Sequence, residues 1–166
     1  MRVSKAVIIA AGWGTRFLPV TKAQPKEMLP LLDKPLIQYA VEEVAGSGIE
    51  QVVIITAPGK GSINDHFSPA PELEAFLGKN GKTALLAGVR RLTRLAAITY
   101  VIQQQRLGLG HAVLQAREAI GNEPFAVLLP DDIVDSRVPV LKQMLAVFSR
   151  YKASVLAVEQ ISRRDS

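Results

Sequence analysis

The residues with the clearest chemistry lie close to the N-terminus. An apolar, β-branched run, Val7-Ile8-Ile9-Ala10-Ala11, ends in Gly12-Trp13-Gly14-Thr15-Arg16, and Lys22 and Pro25-Lys26 follow. The run has the length and composition of a buried strand. Gly12 and Gly14 allow a tight turn and a close approach that a Cβ would block. Backbone N–H groups in such a turn can face an anion. Arg16, Lys22 and Lys26 add full positive charges beside it. A strand, a bare-backbone loop and these cations together predict a site for a diphosphate or triphosphate. The loop is neither of the two best-known phosphate loops. Phe17 stands where the dinucleotide fingerprint has its third glycine, and no Gly-Lys-Ser/Thr follows. Further on, Leu128-Leu129-Pro130-Asp131-Asp132 ends another apolar run in carboxylates. A carboxylate at a strand end suits Mg²⁺, and the competing use of Asp is to cap the next segment.

These residues need a scaffold, and the pattern along the chain predicts one. Strands are expected over 5–10, 51–56, 98–103, 125–129 and 154–159. Pro35 has the place for the first turn of a helix, Leu36, Tyr39, Ala40 and Val44 recur at helical spacing from there, and Gly46 and Gly48 stop it. Further helices are expected over 62–67, 71–77, 110–120 and 138–151, with 83–95 helical in part. Such alternation predicts an α/β fold, a mostly parallel sheet flanked by helices. Ligands of open α/β sheets sit at the carboxyl ends of the strands. Gly12, Gln103 and Asp131 all fall at or just after expected strand ends.

The 166 residues, 48% hydrophobic and 21% charged, suit one globular domain with a real core. With no cysteine there is no disulfide framework, thiolate chemistry or cysteine metal site, which is compatible with the cytoplasm. No apolar run reaches transmembrane length, and Met1-Arg2-Val3-Ser4-Lys5 lacks the features of a signal peptide. The expectation is therefore a cytoplasmic chain away from membranes. The net charge is +5, and much of the excess lies over 79–94, around Arg90, Arg91 and Arg94. Aromatic residues make up 5% and do not interleave with these cations, so a solvated basic helix face is expected there rather than nucleic-acid binding.

Ala10-Ala11-Gly12-x-Gly14-Thr15-Arg16-Phe17-Leu18-Pro19, then Thr21-Lys22-Ala23 and Pro25-Lys26-Glu27-Met28-Leu29-Pro30, resembles the signature of the sugar-nucleotide pyrophosphorylases. Its longer wording resembles the bacterial UTP–glucose-1-phosphate uridylyltransferases. Asp33-Lys34-Pro35-Leu36-Ile37-Gln38-Tyr39, Leu107-Gly108-Leu109-Gly110-His111-Ala112 and Leu128-Leu129-Pro130-Asp131-Asp132 fit the same family. The resemblance implies a Rossmann-like nucleotidyltransferase fold. It implies a reaction of UTP with glucose 1-phosphate that gives UDP-glucose and pyrophosphate with Mg²⁺. It also implies roles. Arg16 would hold the β- and γ-phosphates, Lys26 would contact phosphate, and Asp131 would bind the metal. Gln103 and Gly108 would recognise the pyrimidine. Ala11 and Gly12 would contact the base through their backbone, and Gly14 and Thr15 complete the nucleotide loop. Lys22 contacts phosphate or only adds to the local field. His111 is expected to pack or cap rather than to act as an acid or base, and a homo-oligomer is expected.

The chain also departs from that pattern. Trp13 stands where the family usually has a small or aliphatic residue, and Ile102 and Arg106 stand where it tends to have Arg and Pro. The sequence ends at Ser166, whereas family members continue. Residues 1–166 would thus form the nucleotide-binding part of one incomplete domain. They would lack the second metal carboxylate, the sugar-phosphate lysine and the glucose contacts, with Glu159 and Asp165 as carboxylates by default. Three rival readings remain open. One is a module that binds UTP or UDP-sugar with little turnover. Another is a short partner of a full-length subunit, joined through an open sheet edge. The third is an enzyme that uses dTTP.

Overall fold

The computed structural model describes residues 2–160. Asp165, one of the default carboxylates, lies outside them. The chain enters through β1 (Lys5–Ile9) and passes through 3-10 turns at Thr15–Phe17, Val20–Lys22 and Lys26–Met28. A short antiparallel ribbon follows, formed by β2 (Pro30–Leu31) and β3 (Lys34–Pro35). Then come α1 (Leu36–Gly46), β4 (Gln51–Thr56), α2 (Gly61–Phe67), α3 (Pro71–Lys79), α4 (Thr83–Leu92) and β5 (Ala97–Ile102). α5 (Leu109–Gln115), α6 (Arg117–Ile120), β6 (Phe125–Leu128) and α7 (Val140–Tyr151) complete the order.

The main sheet is four-stranded in the order β5-β4-β1-β6, and its pairings are parallel. β1 lies inside it, with Ile8 opposite Ile54 on one side and Leu128 on the other. A strand covered on both faces reads as a continuous apolar run, and Ala6, Val7 and Ile8 are fully buried. Period-two alternation divides the core into two layers. Ala6, Ile8, Val52 and Ile54 face Ile37, Val41 and Val44 of α1 and Leu141 of α7. Val7, Val53 and Ile55 face Ala112, Ala116 and Ile120 of α5 and α6. The chain moves outward from β1 to β5, then returns to the other side of β1 as β6. That reversal opens a crevice at the carboxyl ends of β1 and β6.

Three expectations are corrected here. The segment 154–159 is not a strand. It has no regular structure, pairs with no strand among the described residues, and its Leu156 and Val158 are 84% and 89% exposed. β-branched composition favours extended backbone, but a strand also needs a neighbour for its N–H and C=O groups. β6 ends the strand order, and an apolar cavity of about 1000 Å³ opens between β6, α7 and residues 153–157. The helix expected over 110–120 divides at Ala116, whose N–H bonds the Val113 carbonyl at 3.0 Å in a 3-10 step. Pro35 precedes α1 as its N-cap, in extended conformation, rather than forming its first turn. The basic segment is α4, which buries no residue. Arg90 pairs with Glu74 at 2.8 Å and Arg91 with Glu42 at 2.9 Å. Among the described residues no helix is long and apolar enough to cross a membrane.

This layering sets different costs for apolar residues of similar type. Ile54→Ala, in the doubly covered centre, should destabilise by about 2–5 kcal/mol. Leu156→Ser and Val158→Ser should each change stability by less than about 0.5 kcal/mol. Urea unfolding of the three variants checks this, and a large loss at Leu156 would show that the terminal segment is packed after all.

Candidate active site

The last backbone groups of β1 are held by side chains from elsewhere. The Lys60 ammonium donates to the Ala10 carbonyl at 2.7 Å and to Glu27 Oε2 at 2.8 Å. Glu27 is fully buried and Lys60 nearly so. Burial pushes the Glu27 carboxyl above its ordinary 4.5, against the opposing pull of Lys60. Burial likewise pushes Lys60 below 10.5, against the pull of Glu27, and the nearby Arg106 and Lys26 cations act in the same downward direction. Each partner therefore needs the other to remain charged. The pair ties the end of β1, the Lys26–Met28 turn and the start of α2 to one point.

The glycine loop folds back on that turn. Gly14 adopts φ +70, and a Cβ there would lie 3.0 Å from Thr21 Cγ2 and 3.1 Å from Lys26 Cβ. Only glycine fits both the backbone angle and the space. The Gly14 carbonyl accepts from Thr21 Oγ1 at 2.8 Å and from the Phe17 N–H at 2.9 Å. By contrast, a Cβ at Gly12 would meet open space. Lys26 Nζ reaches across the crevice to Asp131 Oδ2 at 2.7 Å. Partial burial raises the Asp131 carboxyl, but the Lys26 hydrogen bond and charge, with Arg16 adding to them, outweigh it and hold the group below 3.8. Thr15, Arg16 and Lys22 are exposed on the same loop system.

The far side of the mouth follows β5. Gln103 is 3% exposed, and its N–H continues the sheet by donating to the Thr56 carbonyl at 2.8 Å. Its side-chain Nε2 donates to His111 Nδ1 at 2.7 Å and lies 3.5 Å from the Gly108 carbonyl. His111 Nε2 lies 3.2 Å from the Gln115 side-chain amide, and since a neutral imidazole accepts at one nitrogen only, the ring that accepts from Gln103 at Nδ1 donates toward Gln115. Gly108 takes φ +92 as the N-cap of α5. Arg106 Nε donates to the Ala11 carbonyl at 2.9 Å, and its guanidinium lies 3.6 Å from the Trp13 ring centroid. The mouth is thus bounded by Ala11–Arg16 and Lys26 on one side, by Gln103 and Gly108 on another, and by Asp131 beyond β6.

Comparison with known proteins agrees with this geometry. The family model for nucleotidyl transferases matches residues 5–165. The chain belongs to the nucleotidyl transferase family. A UTP–glucose-1-phosphate uridylyltransferase of Bacillus subtilis is 55% identical over 164 residues, which cover 99% of this chain and 55% of that protein. A second such enzyme, from Staphylococcus saprophyticus, is 54% identical over 160 residues, covering 96% of this chain and 55% of that protein. The UTP-bound UGPase from Acinetobacter baumannii superposes with a TM-score of 0.86 at 41% identity, covering 91% of this chain and 54% of that one. A UDP-glucose pyrophosphorylase complexed with UDP-glucose gives a TM-score of 0.81 at 44% identity, covering 96% and 58%. The chain spans about half the length of the curated relatives it matches.

Ala11, Gly12, Gly14, Thr15, Arg16, Lys22, Lys26, Gln103, Gly108 and Asp131 all follow the carboxyl ends of the strands, whereas Glu159 does not. It is exposed in the segment after α7. Sequence reasoning missed Lys60 and left Arg106 as a mere departure. Lys60 does follow a strand and a Pro-Gly turn, which is the only local signal for it.

Two outcomes follow from the charges. Lys60→Met should destabilise by about 3–5 kcal/mol because it strands the Glu27 carboxyl, whereas Lys60→Met combined with Glu27→Leu should recover most of the loss. Urea unfolding measures both, and a loss below about 1 kcal/mol for the single variant would show that the pair is not held together. The second outcome concerns pH. Asp131 has a lowered folded value, so its contribution is present above 3.8 and is lost as pH falls through that lowered value. The stability gap between wild type and Asp131→Asn should be open at neutral pH and close in acid. A gap that does not change with pH would rule the contribution out.

Proposed function

We propose that this chain carries the nucleotide-binding half of a UTP–glucose-1-phosphate uridylyltransferase. In the whole reaction a phosphate oxygen of glucose 1-phosphate attacks the α-phosphorus of UTP. The Pα–O–Pβ bond breaks, pyrophosphate leaves, and UDP-glucose forms. Such a transfer needs positioned reactants and neutralised charge more than covalent help from protein. Arg16 binds the β- and γ-phosphates of the leaving group, Lys26 binds phosphate, and the Gly12–Gly14 backbone approaches the nucleotide. Thr15 lies on the same loop.

The observation that carries the base assignment is the committed amide of Gln103. Its Nε2 is engaged by His111, so the free end is the carbonyl oxygen, an acceptor. An acceptor meets the N3–H of uracil, whereas N3 of cytosine is itself an acceptor and leaves both groups unpaired. One such mismatch costs about 1–3 kcal/mol, or roughly 10-fold or more in affinity. Thymine carries the same N–H, and the Phe17-Leu18-Pro19 wording favours the uridylyl branch. Gly108 supplies backbone at the edge of the base, with Ala11 and Gly12 on its other side.

Among the described residues no group of three or more His, Cys, Asp or Glu side chains converges on a metal position. Asp131 offers one carboxylate, with Oδ2 already held by Lys26. That donor set fits Mg²⁺, which keeps several waters and takes one or two carboxylates together with substrate phosphates. When bound, the ion offsets negative charge that develops on the phosphate oxygens. Lys26 is released from Asp131 to phosphate as the nucleotide enters. The chemistry suits a cytoplasmic homo-oligomeric enzyme, and the cysteine-free composition is in keeping with that setting.

Calorimetric titration with UTP and Mg²⁺, with CTP and ATP as controls, tests the reading. Saturable binding should be UTP-selective and should weaken about 10-fold or more in Arg16→Ala and in Gln103→Ala. A folded chain that binds no UTP, or that binds CTP equally well, would overturn it.

A further inference from the structure

Trp13 and Arg106, two of the three residues that depart from the family pattern, touch each other. The guanidinium carbon of Arg106 stands 3.6 Å from the indole centroid, and its Nε donates to the Ala11 carbonyl at 2.9 Å across 95 residues of sequence. Trp13 remains 68% exposed and sits between Gly12 and Gly14. A loop framed by glycines has many conformations to lose when it grips a ligand. Arg106 lies between Gln103 and Gly108, so its two contacts join the loop that faces phosphate to the loop that faces the base.

We propose that Trp13 and Arg106 form a clasp that fixes the glycine-rich loop against residues 103–108 and so strengthens nucleotide binding. They are positioning residues. The clasp acts by ordering Ala11–Gly14 before the ligand arrives, which lowers the entropy lost on binding. Each of its two contacts is modest alone, about 0.5–1 kcal/mol for an exposed cation–π stack and about 1.5–3 kcal/mol for a hydrogen bond from a charged group. Because both contacts use one guanidinium, loss of Arg106 removes both, whereas loss of Trp13 leaves the bond to Ala11. The affinity part of the proposal rests on the nucleotide reading above.

Trp13 is the only tryptophan of the chain, so its fluorescence reports the clasp without any ligand. In the nucleotide-free protein, Arg106→Ala should raise acrylamide quenching of Trp13. Arg106→Lys, which keeps the charge but not the planar stack, should fall between it and wild type. By calorimetry, Arg106→Ala should weaken UTP binding about 10-fold, and Trp13→Ala should weaken it by less. The double variant should be no weaker than Arg106→Ala alone, and Trp13→Phe should recover most of the affinity lost in Trp13→Ala. Unchanged quenching in Arg106→Ala, or losses that multiply in the double variant, would overturn the clasp. Tighter UTP binding by Arg106→Ala would also overturn it, by making the pair a barrier. A folded wild type that binds no UTP would remove the nucleotide reading and the affinity role with it, while the quenching series would still decide whether the two loops are held together.

Discussion

The site is built around one buried ammonium. Lys60 reaches under the end of β1, takes the Ala10 carbonyl, and meets a carboxylate that has no exposure at all. Burying two charges is costly, and a well-packed apolar pair would give equal or greater stability. What an apolar pair could not do is fix directions. Glu27 points inward to Lys60, so Lys26, its neighbour on a single 3-10 turn, is turned toward the crevice and Asp131. The same ammonium fixes the carbonyl from which the glycine loop departs. Shifting that anchor would move the loop, Lys26 and the start of α2 together.

The second constraint is charge. The mouth gathers Arg16, Lys26, Lys60 and Arg106 around the carboxylates of Glu27 and Asp131. Cations packed this closely repel each other, and the downward pull of Arg106 and Lys26 on Lys60 shows that they sense one another. Each is satisfied locally at rest by a different device. Lys60 has Glu27, Lys26 has Asp131, and Arg106 has a carbonyl and an indole face. Arg16 alone among them rests exposed on its loop, beside Asp131. Among the described residues Arg16 and Lys22 make no ion pair, and Lys26 would have to leave Asp131 to meet an anion.

Much of this was legible in the sequence where the signal is local. β1 and β4 are covered on both faces and read as unbroken β-branched runs, which is why their expected positions agree with the structure to within a residue. Residues 154–159 carry the same kind of pattern and fail as a strand, because pairing is a property of the neighbour and not of the segment. Gly14 was readable because its positive φ and close packing both demand glycine. Lys60 and Arg106 were not, since a lone cation outside a motif looks the same whether it is solvated or anchors a carbonyl. The orientation of the Gln103 amide was equally hidden. It is set by His111, eight residues away on the next helix.

Three contacts that tie the mouth together are long-range. Lys60 to Glu27 spans 33 residues, Arg106 to Ala11 spans 95, and Lys26 to Asp131 spans 105. They join segments that the pairing of β1 with β4 and β6 brings together. The mouth is therefore present only when the sheet is, and a ligand that uses it must favour the folded chain over the unfolded one by mass action. The converse also holds. Because β1 lies between its partners and the strands enter the mouth at their carboxyl ends, damage to the apolar layers displaces the glycine loop and the Gln103 loop relative to each other. Binding geometry and core packing are linked through the one strand whose terminus Lys60 holds.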